Sequence, residues 1–209
     1  MSYPGKFIVV EGCEGTGKST LCMAIADLIS QTSSLEVTLT LEPGGTDFGQ
    51  EVRRLLKSTE YDLSAKSELL LFLADRAHHC EDVIVPALTL GRYVVSDRYK
   101  YSTYAYQCYA GEAPLDLAVA MTDYATCGLE PDLLILLDGP PEELFQSRGR
   151  DTSDRIEMKS LDYHRRVRDG FLDLFGKHDS KKIMVDALFP IEEVRAQAWR
   201  AVACLIHES

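Results

Sequence analysis

The sequence predicts an α/β fold in three layers, a five-stranded parallel sheet with helices on both faces. Three observations support that prediction. Short β-branched runs alternate with longer segments of helical pattern along the chain. The strand-like runs, such as Phe7-Ile-Val-Val10 and Leu133–Leu137, are apolar at consecutive positions, which suits strands covered on both faces. The first strand also leads straight into a glycine-rich turn and then a helix, a common start for a parallel sheet.

In chain order, Phe7–Val10 is the first strand and Lys18 to Ser30 the first helix. Val37–Leu41 is a second strand, and Gly49–Lys57 a short helix. Ser64 can cap a long helix running toward Leu90, which Pro86 should kink or shorten because proline lacks the donor N–H. Tyr93–Ser96 and Leu133–Leu137 are the third and fourth strands. Leu115–Thr126, Glu142–Arg148 and Met158–Phe175 have helical patterns. Lys182–Val185 is a weaker fifth strand before a last helix over Ile191–Ile206. In such sheets ligands bind beyond the carboxyl ends of the strands, here just after Val10, Leu41, Ser96 and Leu137.

At 209 residues the chain suits one domain spanning 1–209, with no repeat, low-complexity tract or Gly/Ser linker. Its 45% hydrophobic and 26% charged residues are those of an ordinary soluble globule. The net charge of −11 argues against a non-specific nucleic-acid binder. No apolar run approaches the roughly 20 residues that cross a bilayer, so no membrane partner is expected. Six scattered cysteines without metal-ligand spacing, and a start without signal-peptide layout, lead to the expectation of free thiols and a cytoplasmic location.

Gly12-Cys-Glu-Gly-Thr-Gly-Lys-Ser19 fits G-x-x-x-x-G-K-[ST] between strand and helix, the context that makes the match a phosphate-binding loop. Glycine-rich backbone can curl so that successive N–H groups converge on phosphate oxygens, aided by the positive end of the following helix. Gly12, Cys13, Glu14, Gly15, Thr16, Gly17, Lys18, Ser19 and Thr20 are therefore the candidate ATP-binding residues. Lys18 is expected to reach the β- and γ-phosphates, and Ser19 to ligate Mg²⁺. Cys13 is either a passive small side chain or a thiol activated at a helix N-terminus. The loop defines a nucleotide site of the P-loop NTPase kind; GTPases, motor ATPases and small-molecule kinases all use it.

The acceptor must be read elsewhere. Asp97-Arg98 ends the third strand, where a carboxylate can hold a metal-bound water and an arginine can clamp a phosphate; a structural salt bridge is the alternative. Ser102-Thr-Tyr-Ala-Tyr-Gln107 is a helix-compatible run of hydrogen-bonding and aromatic side chains. Phe72 and Arg76 lie four apart, hence on one helix face, where they can stack a base and donate to its edge or serve as a core phenylalanine and a solvated arginine. Glu42-Pro-Gly-Gly-Thr46, leading to Arg53, is a strand–helix connection or a substrate loop.

Taken in order, the loop with an acidic third position, Glu42-Pro-Gly-Gly-Thr46, Phe72-Leu-Ala-Asp-Arg76, Asp97-Arg-Tyr with its Ser-Thr-x-Ala-Tyr-Gln continuation and Asp154-Arg-Ile-Glu157 resemble the thymidylate kinases. The resemblance spans roughly Phe7 to Phe175. It implies transfer of the γ-phosphoryl group of ATP to dTMP, with Mg²⁺ held by Ser19 and Asp97, in an enzyme that is commonly a homodimer. It implies that Phe72 stacks the thymine, Arg76 donates to its exocyclic oxygen, and Thr103 or Gln107 contacts the base edge. Arg53 and Arg98 would hold the monophosphate, with Glu42 and Ser102 among the substrate-binding residues. Tyr106 would lie where a 2′-hydroxyl would project, and Glu14 near the sugar and acceptor phosphate.

The polar, basic stretch over 147–156 is expected to form a short lid. Gly15 stands where some thymidylate kinases carry arginine, so the chain resembles the bacterial-type subgroup in which lid arginines supply the charge. Arg150 is the first candidate, with Arg148 (also counted among the ATP-binding residues) and Arg155 behind it; Lys18, Arg98, Arg150 and Glu14 make up the candidate catalytic set. Two departures bear on detail: Leu41 precedes Glu42 where arginine is frequent, which implies a rearranged part of the phosphate clamp, and Cys108-Tyr-Ala follows Gln107 where glycines are frequent, which implies a different loop shape. The rivals are a kinase for another nucleotide or nucleoside, and a nucleotide switch; no Asn-Lys-x-Asp guanine element supports the latter.

Overall fold

The computed structural model describes residues 3–33, 35–148, 155–178 and 181–207. Its five strands are β1 (Lys6–Gly12), β2 (Val37–Leu41), β3 (Tyr93–Asp97), β4 (Leu133–Asp138) and β5 (Lys182–Asp186), ordered β2-β3-β1-β4-β5. All pairings are parallel, with Val10 opposite Asp97 on one side and Ile135 on the other. In central β1, Phe7, Ile8, Val9 and Val10 are all 0% exposed. Since successive side chains point to opposite faces, that run requires cover on both. The three-layer prediction therefore holds.

Helix α1 (Lys18–Thr32) runs against β1, β2 and β3 and packs on the C-terminal helix Ile191–His207. Helix α2 (Asp47–Lys57) starts two residues before the predicted Gly49, because Thr46 accepts the Gly49 N–H at 2.9 Å and caps it. Ser64 caps α3 (Ala65–His79) as expected. The long helix toward Leu90 does not persist as one piece. After His79 comes a π-helical turn, Cys80–Ile84, and then a short α4 (Val85–Thr89) with Pro86 in its first turn. A widened turn relieves the clash that the proline ring would make with the preceding turn of a regular helix.

After β3 the chain forms α5 (Lys100–Thr103), continues as a second π-helical turn, Tyr104–Tyr109, and reaches α6 at the predicted Leu115–Thr126. Helix α7 (Pro141–Arg148) precedes α8 (Leu161–Lys177), which begins three residues after the predicted Met158. Ser160 sets that start by accepting the Tyr163 N–H at 3.2 Å. The last helix, Ile191–His207, is α9. The departure at Cys108-Tyr-Ala is absorbed by α8: Gly170 lies under the Tyr109 ring, where a Cβ would come within 2.8 Å. Two substitutions separate core from cap. Ile135→Ala in β4 should cost about 3 kcal/mol and Ser64→Ala about 1 kcal/mol, measured by urea unfolding, with the two effects adding because the sites are apart.

Candidate active site

The carboxyl ends of β1, β2 and β3 open into a cleft of about 300 Å³. Glu14, Gly15, Lys18 and Ser19 line it at the loop end, and Phe72, Arg76, Thr103, Tyr106 and Gln107 at the far end. Glu42, Arg53, Asp97, Arg98 and Ser102 line it between them. Gly12, Cys13, Thr16, Gly17 and Thr20 stand behind this wall, in the loop and first turn of α1. Arg150 and the side chain of Arg148, two of the expected charge donors, lie outside the described residues.

The loop leaves β1 at Gly12, whose φ of 144° and whose approach to Leu137 (a Cβ would sit 2.3 Å from that carbonyl oxygen) admit glycine alone. Lys18 Nζ donates to the Cys13 carbonyl at 2.6 Å, and Thr16 Oγ1 to the same oxygen at 2.9 Å. Burial, followed by the nearby Arg98 cation, draws the Lys18 ammonium below its ordinary value; an anionic ligand beside it would draw it back up. Cys13 is buried, and burial joined by the Glu14 charge pushes its thiol up to about 12. The passive reading of Cys13 is the one this environment supports, since nucleophilicity needs the thiolate.

Arg98 joins the loop to the acceptor wall. Its Nη1 donates to the Gly12 carbonyl at 3.2 Å and to Ser102 Oγ at 2.9 Å, and its Nη2 to Glu14 Oε1 at 2.9 Å. The guanidinium lies over the Tyr106 ring, 5.2 Å from the centroid. Arg98 has φ of 74°, a left-handed conformation that costs a non-glycine residue about 1–3 kcal/mol and concentrates at functional sites. Its backbone is held there by its own N–H donating to Val10 at 2.9 Å and by Ser96 Oγ donating to its carbonyl at 2.7 Å. Burial alone would raise the Glu14 carboxyl, but Arg98, Lys18 and the Tyr106 hydroxyl outweigh it and hold the group below the carboxylate range. That hydroxyl donates to Glu14 Oε2 at 2.5 Å.

Sequence reasoning missed the support beneath this wall. Glu11, on β1 and 1% exposed, accepts the N–H groups of Tyr99 (2.9 Å) and Ser102 (3.1 Å) and the Ser102 hydroxyl (2.6 Å). It thereby fixes the start of α5. The only sequence signal was a carboxylate directly after the apolar run Phe7–Val10.

A second network orders the far end. Arg76 is 1% exposed, so the solvated alternative is excluded. Its Nε donates to Glu42 Oε2 at 2.7 Å, Nη1 to Thr103 Oγ1 at 3.0 Å and Nη2 to the Tyr99 carbonyl at 3.0 Å. His79, also missed by sequence reasoning, pairs its Nδ1 with Glu42 Oε1 at 2.9 Å and its Nε2 with Thr40 Oγ1 at 2.6 Å. Burial opposes the Glu42 charge, yet Arg76 and His79 hold its carboxyl below the ordinary range. Arg53 Nη1 donates to the Pro43 carbonyl at 2.8 Å, which aims it along the cleft wall. Leu41 lines the cleft as well, so this position supplies apolar surface in place of a cation.

A cation site is consistent with one further detail. Ser19 Oγ donates to Asp97 Oδ2 at 2.5 Å, while Asp97 Oδ1 is buried without a hydrogen-bond partner among the described residues. An orphaned carboxylate oxygen beside a hydroxyl fits a hard, oxygen-seeking ion such as Mg²⁺. Among the described residues no group of three His, Cys, Asp or Glu side chains could cage a metal, so protein ligands alone would be few. Arg155, a candidate charge donor, donates instead from Nη1 to Glu68 Oε1 at 2.6 Å and from Nε and Nη2 to the Leu56 carbonyl.

Glu42→Gln should cost about 3 kcal/mol at pH 7, because Arg76 is left as a buried charge with a neutral neighbour. A carboxyl held below its ordinary 4.5 stabilises fully above that value and ceases to do so as pH falls through its lower folded value. Unfolding curves from pH 7 to 3 should therefore show wild type losing its advantage only below about pH 4.5. A constant gap across that range would contradict the assignment.

Comparison with known proteins agrees with the geometry. The thymidylate kinase family model matches residues 10–198. The chain is 43% identical to a thymidylate kinase of Carboxydothermus hydrogenoformans over 191 residues, covering 91% of this chain and 93% of the relative. It is 38% identical to a thymidylate kinase of Legionella pneumophila over 200 residues, covering 93% and 92%. The crystal structure of thymidylate kinase from Ehrlichia chaffeensis superposes with a TM-score of 0.78 at 29% identity, covering 95% of this chain and 98% of that one. With a phosphate-type loop and the Phe72–Arg76 wall lining one cleft, and with relatives matched over nearly their whole length, this chain belongs to the thymidylate kinase family.

Proposed function

We propose that the chain, acting over 1–209 as one domain, transfers the γ-phosphoryl group of ATP to dTMP, giving dTDP and ADP. The observation that carries this reading is the cleft lined at one end by Lys18 and Ser19 of the phosphate loop and at the other by Phe72, Arg76 and Tyr106. An oxygen of the dTMP phosphate attacks the γ-phosphorus as the bond to the β,γ-bridging oxygen breaks. The monophosphate is largely ionised at neutral pH, so no side-chain base is needed. Catalysis then rests on alignment and on neutralising the charge spread over the moving group.

Lys18 holds the β- and γ-phosphates, and Arg98 and Arg53 hold the acceptor phosphate in line with them. Ser19 and Asp97 would hold Mg²⁺, directly or through water, and the ion would neutralise charge on the β- and γ-oxygens. Arg150 and Arg148 remain the candidates for further transition-state charge, because the bonds of Arg155 direct it to Glu68 and Leu56. Phe72 stacks the thymine, Arg76 donates to its exocyclic oxygen, and Tyr106, pinned by Glu14, occupies the space of a 2′-hydroxyl.

A homodimer is supported by the exposed Leu70 of α3 and Leu117 and Tyr124 of α6, two helices that pack side by side. No helix among the described residues is long and apolar enough to cross a membrane.

An ADP-release assay across dTMP, dUMP, dCMP, dGMP and thymidine should show dTMP as the best acceptor. Some turnover of dUMP is expected, since one methyl group is worth about 1–3 kcal/mol. Lys18→Ala should lower kcat on the order of 10²–10³-fold and leave the dTMP dissociation constant, measured by calorimetry, nearly unchanged. Equal turnover of all acceptors would refute the substrate assignment.

A further inference from the structure

Glu68 belongs to none of the motifs that define the site, yet the structure places it between two of their elements. It sits in the first turn of α3 and is 7% exposed. Gln107, 2% exposed on the second π-helical turn, donates from Nε2 to Glu68 Oε2 at 3.3 Å. The other carboxylate oxygen accepts Arg155 Nη1 at 2.6 Å, and Arg155 is itself fixed to the Leu56 carbonyl. The Gln107 backbone is equally constrained. Its carbonyl accepts the Ala113 N–H at 2.9 Å, and Gly111 approaches it so closely that a Cβ would lie 2.4 Å away.

An amide side chain has a donor end and an acceptor end of almost equal shape, so its orientation is decided by its partners. An ionised carboxylate only accepts. Glu68 therefore selects the Gln107 orientation with nitrogen toward α3 and oxygen away from it. Gln107 lines the cleft together with Phe72, Arg76 and Thr103, and its Oε1 has no protein partner among the described residues. Arg155 holds the carboxylate in place by an ionic hydrogen bond of 2.6 Å.

We propose that Glu68 is a positioning residue for base specificity: it orients Gln107 so that an acceptor oxygen, and never an N–H, faces the ring of the bound pyrimidine. Beside the donors of Arg76, this produces a donor–acceptor pair along one wall of the cleft. A 4-keto pyrimidine with N3–H, such as thymine or uracil, complements both groups. Cytosine, with an amino group at C4 and a bare N3, opposes both. Glu68 thus acts on the distinction between keto and amino pyrimidines and is indifferent to the 5-methyl group. The inference rests on the dTMP-kinase reading.

The test measures kcat/KM for dTMP, dUMP and dCMP with wild type, Glu68→Gln, Gln107→Met and the double variant. Glu68→Gln is isosteric but can donate as well as accept, which lets the Gln107 amide turn over. It should lower the dTMP/dCMP ratio about tenfold, the upper scale of one neutral hydrogen bond, and leave the dTMP/dUMP ratio unchanged. In the Gln107→Met background the same substitution should have no further effect on dTMP/dCMP selectivity. Thermal melts of each variant report folding separately. If Glu68→Gln lowers all three substrates by one factor, or adds its full selectivity loss on top of Gln107→Met, the proposal is overturned. Wild type that does not prefer dTMP to dCMP would instead remove the substrate reading beneath it.

Discussion

The site depends on one side chain, the guanidinium of Arg98. It binds the Gly12 carbonyl where the phosphate loop leaves β1, the Glu14 carboxylate inside that loop, and Ser102 at the start of the acceptor wall. Its face rests on Tyr106. The donor and acceptor halves come from distant parts of the sequence, and this residue makes them one surface. The strained backbone at Arg98 belongs to the same arrangement, since it turns a residue at the tip of β3 back across the sheet edge toward β1. Glu14 ties the loop to the opposite wall: one carboxylate oxygen accepts from Arg98 and the other from the Tyr106 hydroxyl.

A parallel logic orders the far end of the cleft. Thr40, His79, Glu42, Arg76 and Thr103 form a buried chain of hydrogen bonds running from β2 through α3 to α5. Buried charges are tolerated here because each is paired and further hydrogen-bonded. Both networks end on the segment Lys100–Tyr109, where Ser102, Thr103, Tyr106 and Gln107 are carried. That segment switches from α- to π-helical geometry, which changes the angular spacing of its side chains relative to a regular helix. Glu11 pins its beginning from the central strand, so the most rigid part of the sheet registers the most chemically crowded turn.

The sheet was legible because its strands are short, apolar and separated by helical periods; the strand bounds shifted by only a residue or two. The phosphate loop was legible because backbone geometry demands its glycines, as the Leu137 contact at Gly12 illustrates. Helix ends were less so: Thr46 and Ser160 moved two starts through side-chain caps that periodicity does not register. The π-helical turns left no periodic signal, and of the two only the one before Pro86 had a visible cause. Phe72 and Arg76 could be paired by spacing, but spacing alone left Arg76 as plausible on the surface as in the core. Glu11, Glu68 and His79 act through partners 37 to 91 positions away, which no local pattern encodes. For the lid arginines, Arg155 is placed beside Glu68 rather than along the loop, while Arg150 falls outside the described residues.

The central claim is that Arg98 is a shared wall, holding the acceptor phosphate while still tied to the phosphate loop. A crystal structure with dTMP and a non-hydrolysable ATP analogue tests it most directly. The account predicts the dTMP phosphate against the Arg98 guanidinium, with the bonds to Gly12 and Glu14 retained and the thymine between Phe72 and Arg76. A dTMP phosphate placed away from Arg98, or an Arg98 side chain released from Gly12 and Glu14, would contradict it.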